Sequence, residues 1–113
     1  MEFELAPFGC TGLETALAAV ITWLVSTGRM PWAILVERMA HAPRRILGLP
    51  AVALAAGSPA DLTVIDPDLE WQVTETGFAS RSKNSAFIGK QLLGRATDVY
   101  VRGMASLVNG EPL

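Results

Sequence analysis

Residues 56–66 read AGSPADLTVID, and the chain changes character there. Ala56 to Asp61 is turn chemistry, with Gly57, Ser58, Pro59 and Asp61 close together. Leu62 to Asp66 is a compact run rich in β-branched residues, the pattern of a strand, and Asp66-Pro67 is expected to stop it. Everything upstream to about residue 49 reads as helix, and everything downstream as strand and loop.

The upstream half carries the helical signals. Thr11 and Glu14 fit the T-x-x-E capping box, in which the hydroxyl and the carboxylate each satisfy a free N–H of the first turn. The helix that follows is expected to run to about Ser26 and to end at Thr27-Gly28. Leu13, Leu17, Val20 and Leu24 share one face. Ala16, Ala18, Ala19, Ile21, Trp23 and Val25 make the other sides apolar as well, so the helix should be packed on more than one side. Pro31 opens a second helix, to about Met39, with Ile34, Leu35 and Met39 as core contacts. Pro43 opens a short third one, closed by Gly48.

Downstream, Glu70 to Thr74 alternates as a strand does. Residues 77–91 form a long polar loop. Residues 96–110 read as strands joined around Arg102-Gly103. Taken alone, helices first and strands second make an α+β chain. Three or four short strands make a poor sandwich, however, and the first helix needs more partners than two short helices supply. Both halves look incomplete.

Composition narrows the function. Of 113 residues, 50% are hydrophobic and 18% charged, with a formal net charge of −2. That is globular composition, and with no basic run nucleic acid is excluded as a partner. The start MEFELAPFG lacks the basic and apolar regions of a signal peptide. The run Ala16–Val25 is too short to cross a membrane and reads as a buried helix, so no membrane partner is expected. A single cysteine suits a reducing, cytoplasmic setting.

Few residues offer chemistry of their own. His41 is the single histidine and lies far from Cys10, so no zinc set is in view. A helix-end role explains His41, and a small buried filler explains Cys10. Glu14 could be a general base, but its capping position accounts for it. Asp61 and Asp66 are turn or edge residues. Asn84 could bind a ligand or lock its loop through backbone hydrogen bonds. Trp23, Trp32 and Trp71 read as core or interface. Phe8-Gly9 is different: a glycine beside a rigid Pro-Phe pair, just before a helix, suits a small polar or anionic ligand held by main-chain groups.

Several stretches together resemble the dihydroorotases, members of the amidohydrolase superfamily with a carbamylated lysine. They are residues 2–17 (EFELAPFGCTGLETAL), 41–49 (HAPRRILGL), 57–66 (GSPADLTVID) and 78–95 (FASRSKNSAFIGKQLLGR). The third occurs across amidohydrolases. The first and last are more particular to dihydroorotases. The chain differs from the family pattern at Cys10, His41 and Ser85-Ala86, none of which carries a known catalytic group.

The resemblance implies an α/β fold class. The chain would be a C-terminal piece of an amidohydrolase: helices of the (β/α)₈ barrel followed by strands of the small β-sandwich domain. Residues 1–49 would be the last loop and closing helices of the barrel, and residues 50–113 the C-terminal part of the sandwich. The implied parent is a zinc-dependent enzyme of pyrimidine biosynthesis. It interconverts N-carbamoyl-L-aspartate and dihydroorotate, its small-molecule substrates.

The family's H-x-H pair, carbamylated lysine, further histidines and aspartate base lie upstream of the APFG loop. No catalytic residue or metal ligand is therefore expected on this chain, which alone should be inactive. In the family the Phe-Gly backbone of that loop touches dihydroorotate, which makes Phe8 and Gly9 the substrate-binding residues. A homodimer, or a complex with aspartate carbamoyltransferase, is the assembly implied. The alternatives are a hydantoinase or dihydropyrimidinase, a non-catalytic dihydroorotase-like partner of aspartate carbamoyltransferase, and a stand-alone interaction module.

Overall fold

The computed structural model describes residues 9–113. Helical residues come first and an antiparallel sheet second. Helix α1 spans Ala16–Val20 and continues through a π-helical turn, Ile21–Val25. Gly28, at φ 74°, reverses the chain, and the Met30 N–H donates back to the Leu24 carbonyl at 2.9 Å. Pro31, extended at ψ 152°, precedes α2, Trp32–Val36.

The chain does not break at Pro43 as its sequence suggests. Helix α2 passes into a second π-helical turn, Glu37–His41, and then directly into α3, Ala42–Ile46. Proline lacks the N–H that would bond four residues back, and its ring crowds that carbonyl. The wider turn removes the conflict, with the Ala42 N–H reaching the Glu37 carbonyl instead. Gly48, at φ 66°, ends the helix where the Leu49 N–H returns to the Arg44 carbonyl at 2.9 Å.

The sheet has the order β1-β2-β3-β4. Its strands are Leu62–Gln72, Gln91–Val101, Met104–Val108 and Glu111–Pro112. The two runs expected on either side of Asp66-Pro67 are one strand, β1. Asp66 pairs with Arg95 and Glu70 with Leu93, so Pro67, Asp68 and Leu69 bulge out of the ladder. A proline is tolerated there because β1 is an edge strand and the bulge asks for no N–H. The Asp66 carboxylate accepts the Asp68 N–H at 3.0 Å and shapes the bulge.

Strand β2 starts at Gln91, before the expected residue 96. Arg102-Gly103 forms the β2–β3 hairpin as expected, with φ 52° and 80°, the left-handed pair of a type I′ turn. Asn109-Gly110 repeats that geometry, with φ 52° and 81°, and returns the chain to β4. Asp61 and Asp66 hold the turn and edge roles expected of them. Asp61 accepts the Arg102 N–H at 2.7 Å.

Helix α1 lies on the sheet through a seam that the sequence pattern misplaces. Ala18 and Ile21 are buried, each 2% exposed, whereas Leu13 is 95% exposed. The buried face is therefore Thr15, Ala18 and Ile21 rather than the Leu13–Leu17–Val20–Leu24 stripe. Ile21 seats on Gly94, where a Cβ would stand 2.4 Å from Ile21 Cδ1. Only a residue without a side chain lets the helix come this close. Thr22 Oγ1 donates to the Ala18 carbonyl at 2.7 Å and accepts the Leu93 N–H at 2.8 Å, joining helix to strand through one hydroxyl.

The core cluster is Ala18, Val73, Phe78 and Leu92, with Trp71 and Phe87 packed against it. Trp71 Nε1 donates to the Gly94 carbonyl at 3.2 Å. Trp23 stacks on Phe87 with ring centroids 5.5 Å apart, while Trp32 is 41% exposed.

The radius of gyration is 16.0 Å, against roughly 13 Å for a compact chain of this length. The accessible surface is 8479 Å², where a closed monomer of this mass would show about 6,000 Å². Ile46 and Leu47 stand exposed on the helical half and Leu54, Val101 and Met104 on the other. Both halves retain apolar surface that a closed domain would cover.

Candidate functional site

The site forms where the segment after Gly9 meets the loop after Phe78. Phe8 lies outside the described residues. Gly9 is exposed, with φ 71° and open space where a Cβ would stand. Its backbone is in the region that other residues enter only at a penalty.

The capping box expected from Thr11 and Glu14 does not form. The residue preceding α1 is Thr15, so Thr11 is too early in the chain to cap it. Both side chains take partners far away in sequence. The Thr11 N–H donates to the Asn84 carbonyl at 2.8 Å, and its hydroxyl donates to the same oxygen at 3.2 Å. The Asn84 side-chain amide donates to the Gly9 carbonyl at 2.6 Å. The carboxylate of Glu14 accepts the N–H groups of Ala79 and Ser80, each at 3.0 Å.

Lys83 closes the loop on itself. Its ammonium donates to the carbonyls of Phe78 at 2.7 Å and Ser80 at 2.8 Å. The ends of residues 74–90 are tied where Val73 N–H meets the Lys90 carbonyl at 3.0 Å and Gly89 N–H meets the Val73 carbonyl at 2.8 Å. Phe78, 7% exposed, anchors the loop in the core. Residues 79–84 thus form a braced arm against which residues 9–14 are fastened.

The sequence places Phe8 and Gly9 together but gives no hint that Asn84 holds Gly9, because that pairing is set by tertiary structure. Asn84 bonds main chain as the loop-locking reading expects, but its side-chain amide holds Gly9, distant in sequence, and not its own loop. Glu14 is bound to two main-chain donors through both its oxygens, an arrangement suited to holding a loop. Cys10 is exposed, contrary to the buried filler expected. His41 sits far along the chain, at the end of the second π-helical turn. Among the described residues no three His, Cys, Asp or Glu side chains gather so as to hold a metal ion, and no chemical step through zinc is assigned to them. Among the described residues no helix is long and apolar enough to cross a membrane.

The chain is 46% identical over 97 residues to a dihydroorotase of Chlorobaculum tepidum, covering 86% of this chain and 22% of the relative. It is 42% identical over 115 residues to a dihydroorotase of Streptomyces coelicolor, covering 97% of this chain and 26% of the relative. The chain is a dihydroorotase-like segment. It spans about a quarter of the curated relatives it matches.

The fold agrees. An L-hydantoinase from Arthrobacter aurescens superposes with a TM-score of 0.87 and 35% identity, over 96% of this chain and 24% of that one. An inactive dihydroorotase-like domain from a Chaetomium thermophilum multifunctional protein shares the fold, with a TM-score of 0.71 at 22% identity, over 91% of this chain and 27% of that one. No family model matches the chain. Helices followed by an antiparallel sheet, matching a quarter of an amidohydrolase, fit the C-terminal piece anticipated from the dihydroorotase-like motifs.

Proposed function

We propose that this dihydroorotase-like segment supplies part of the substrate rim of a zinc-dependent dihydroorotase that interconverts N-carbamoyl-L-aspartate and dihydroorotate in pyrimidine biosynthesis. Phe8 and Gly9 present main-chain groups to dihydroorotate. The remainder of the enzyme holds the zinc and the aspartate that moves the proton, so the segment alone has no hydrolytic activity.

The observation that carries this reading is the Gly9 segment itself. It belongs to one of the two stretches more particular to dihydroorotases, Gly9 is exposed, and its backbone has a positive φ of 71°. A main-chain rim of this kind binds by direction and not by side-chain charge. An oxygen-rich cyclic amide suits it, since its carbonyl and carboxylate oxygens take N–H donors.

The test is a graft. Residues 1–113 replace the matching quarter of the C. tepidum relative, and hydrolysis of dihydroorotate is measured. Turnover that falls when Gly9 is changed to Val supports the reading. A folded graft that leaves dihydroorotate untouched and hydrolyses hydantoin or dihydrouracil replaces it with the cyclic-amidase alternative, for which the fold match to an L-hydantoinase speaks.

A further inference from the structure

The fold joins Gly9 to Asn84 across most of the chain, and from this we infer that Asn84 is a positioning residue for the substrate rim. The inference rests on the reading of the Gly9 segment given above and adds what sets its geometry.

Asn84 grips the segment at two points. Its side-chain amide donates to the Gly9 carbonyl at 2.6 Å, and its own carbonyl accepts from Thr11 N–H and Oγ1 at 2.8 and 3.2 Å. A glycine at φ 71° has more conformational freedom than any other residue, so nothing local fixes the plane of the next peptide. Asn84 fixes it. Among the described residues no peptide bond is cis. In a trans peptide the carbonyl and the following N–H point to opposite sides. With the Gly9 carbonyl drawn toward Asn84, the Cys10 N–H is turned away from it.

The grip is firm only if Asn84 is itself held. Glu14 accepts from Ala79 and Ser80, and Lys83 donates to Phe78 and Ser80. The arm that carries Asn84 is thereby tied to the same Thr11–Glu14 segment that it orders. Asn84 is exposed and makes no part of the core, so its removal should alter the rim more than the fold. The residue acts through Gly9 and not by reaching the reacting atoms.

The experiment uses the grafted full-length enzyme with dihydroorotate as the probe. Asn84→Ala removes the amide donor. Asn84→Leu keeps the bulk and removes the donor. The expected result is a KM raised about tenfold by each, the size expected for losing an oriented hydrogen bond. Turnover at saturating substrate and the thermal midpoint should remain close to those of the unsubstituted graft.

An unchanged KM in Asn84→Ala overturns the inference while leaving the reading of the site intact. So does a Leu variant that restores the KM, because bulk alone would then suffice. A thermal midpoint lowered together with turnover assigns Asn84 to general stability and also overturns it. An unsubstituted graft without activity overturns the reading of the site and this inference with it.

Discussion

Changing Gly94 to Ala tests the docking of α1 on the sheet. The new methyl would stand 2.4 Å from Ile21 Cδ1, 3.0 Å from its Cγ2 and 3.2 Å from its Cβ. Ile21 is 2% exposed, so it has little room to move aside. Overpacking of this kind costs about 1–3 kcal/mol. The backbone adds its own penalty, because φ at Gly94 is 84° and an L side chain there costs roughly 1–2 kcal/mol. Together the loss is about 2–5 kcal/mol, a large share of the ~5–15 kcal/mol that holds a domain together.

The assay is urea unfolding followed by tryptophan fluorescence. Trp71 bonds the Gly94 carbonyl and reports the site directly. A companion change separates the two penalties. Ile21→Ala empties the space the methyl needs, so in Gly94→Ala/Ile21→Ala the overpacking disappears and only the backbone strain remains. The double mutant should therefore be less destabilised than the sum of the singles, by about 1–3 kcal/mol. Strict additivity, or a Gly94→Ala loss below about 0.5 kcal/mol, would refute the close approach of helix and strand.

Glu14→Gln should speed hydrogen exchange at the Ala79 and Ser80 amides while leaving protection within β2 unchanged, since the carboxylate accepts from those amides alone in that arm. Arg102→Asn should raise stability by several tenths of a kcal/mol in the same urea assay, because Arg102 is held at φ 52° and asparagine tolerates that region better. Cys10 is exposed, so iodoacetamide should label the folded chain about as fast as the urea-unfolded one. Glu37 is held below its usual carboxylate range by its hydrogen bond to Arg45. A lowered pKa favours the folded state above the ordinary value of 4.5 and loses that contribution as pH falls through the folded-state value. Both side chains are solvent-exposed, so Glu37→Gln should leave the pH 7 unfolding midpoint unchanged within error.

Local rules made the helical half, the Arg102-Gly103 hairpin and the Pro31 helix start legible, because each is decided within a few residues. Asn109-Gly110 carries the same local hairpin signal, and it is this turn that returns the chain to β4. Several misreadings come from distance along the chain and the others from local geometry that accommodates a proline. Thr11 and Glu14 match a capping box, yet Asn84, Ala79 and Ser80 take their hydrogen bonds. Pro67 looks like a strand end, but an edge position and a bulge accommodate it. Pro43 looks like a helix start, but a π-helical turn before it carries the helix through. The Leu13 stripe is a sound helical pattern. The sheet meets Ala18 and Ile21 instead, because Gly94 lets the helix approach β2 closely at Ile21. In the candidate site Gly9 was visible from its own residue type, whereas the role of Asn84 depends on a fold that brings residues 9 and 84 together.

The most direct measurement is kcat/KM of the grafted enzyme for dihydroorotate, set against its values for hydantoin and dihydrouracil. The account predicts turnover of dihydroorotate in clear preference to both, reduced when Gly9 becomes Val. A folded, metal-loaded graft that prefers hydantoin or dihydrouracil, or that is indifferent to the change at Gly9, would contradict it.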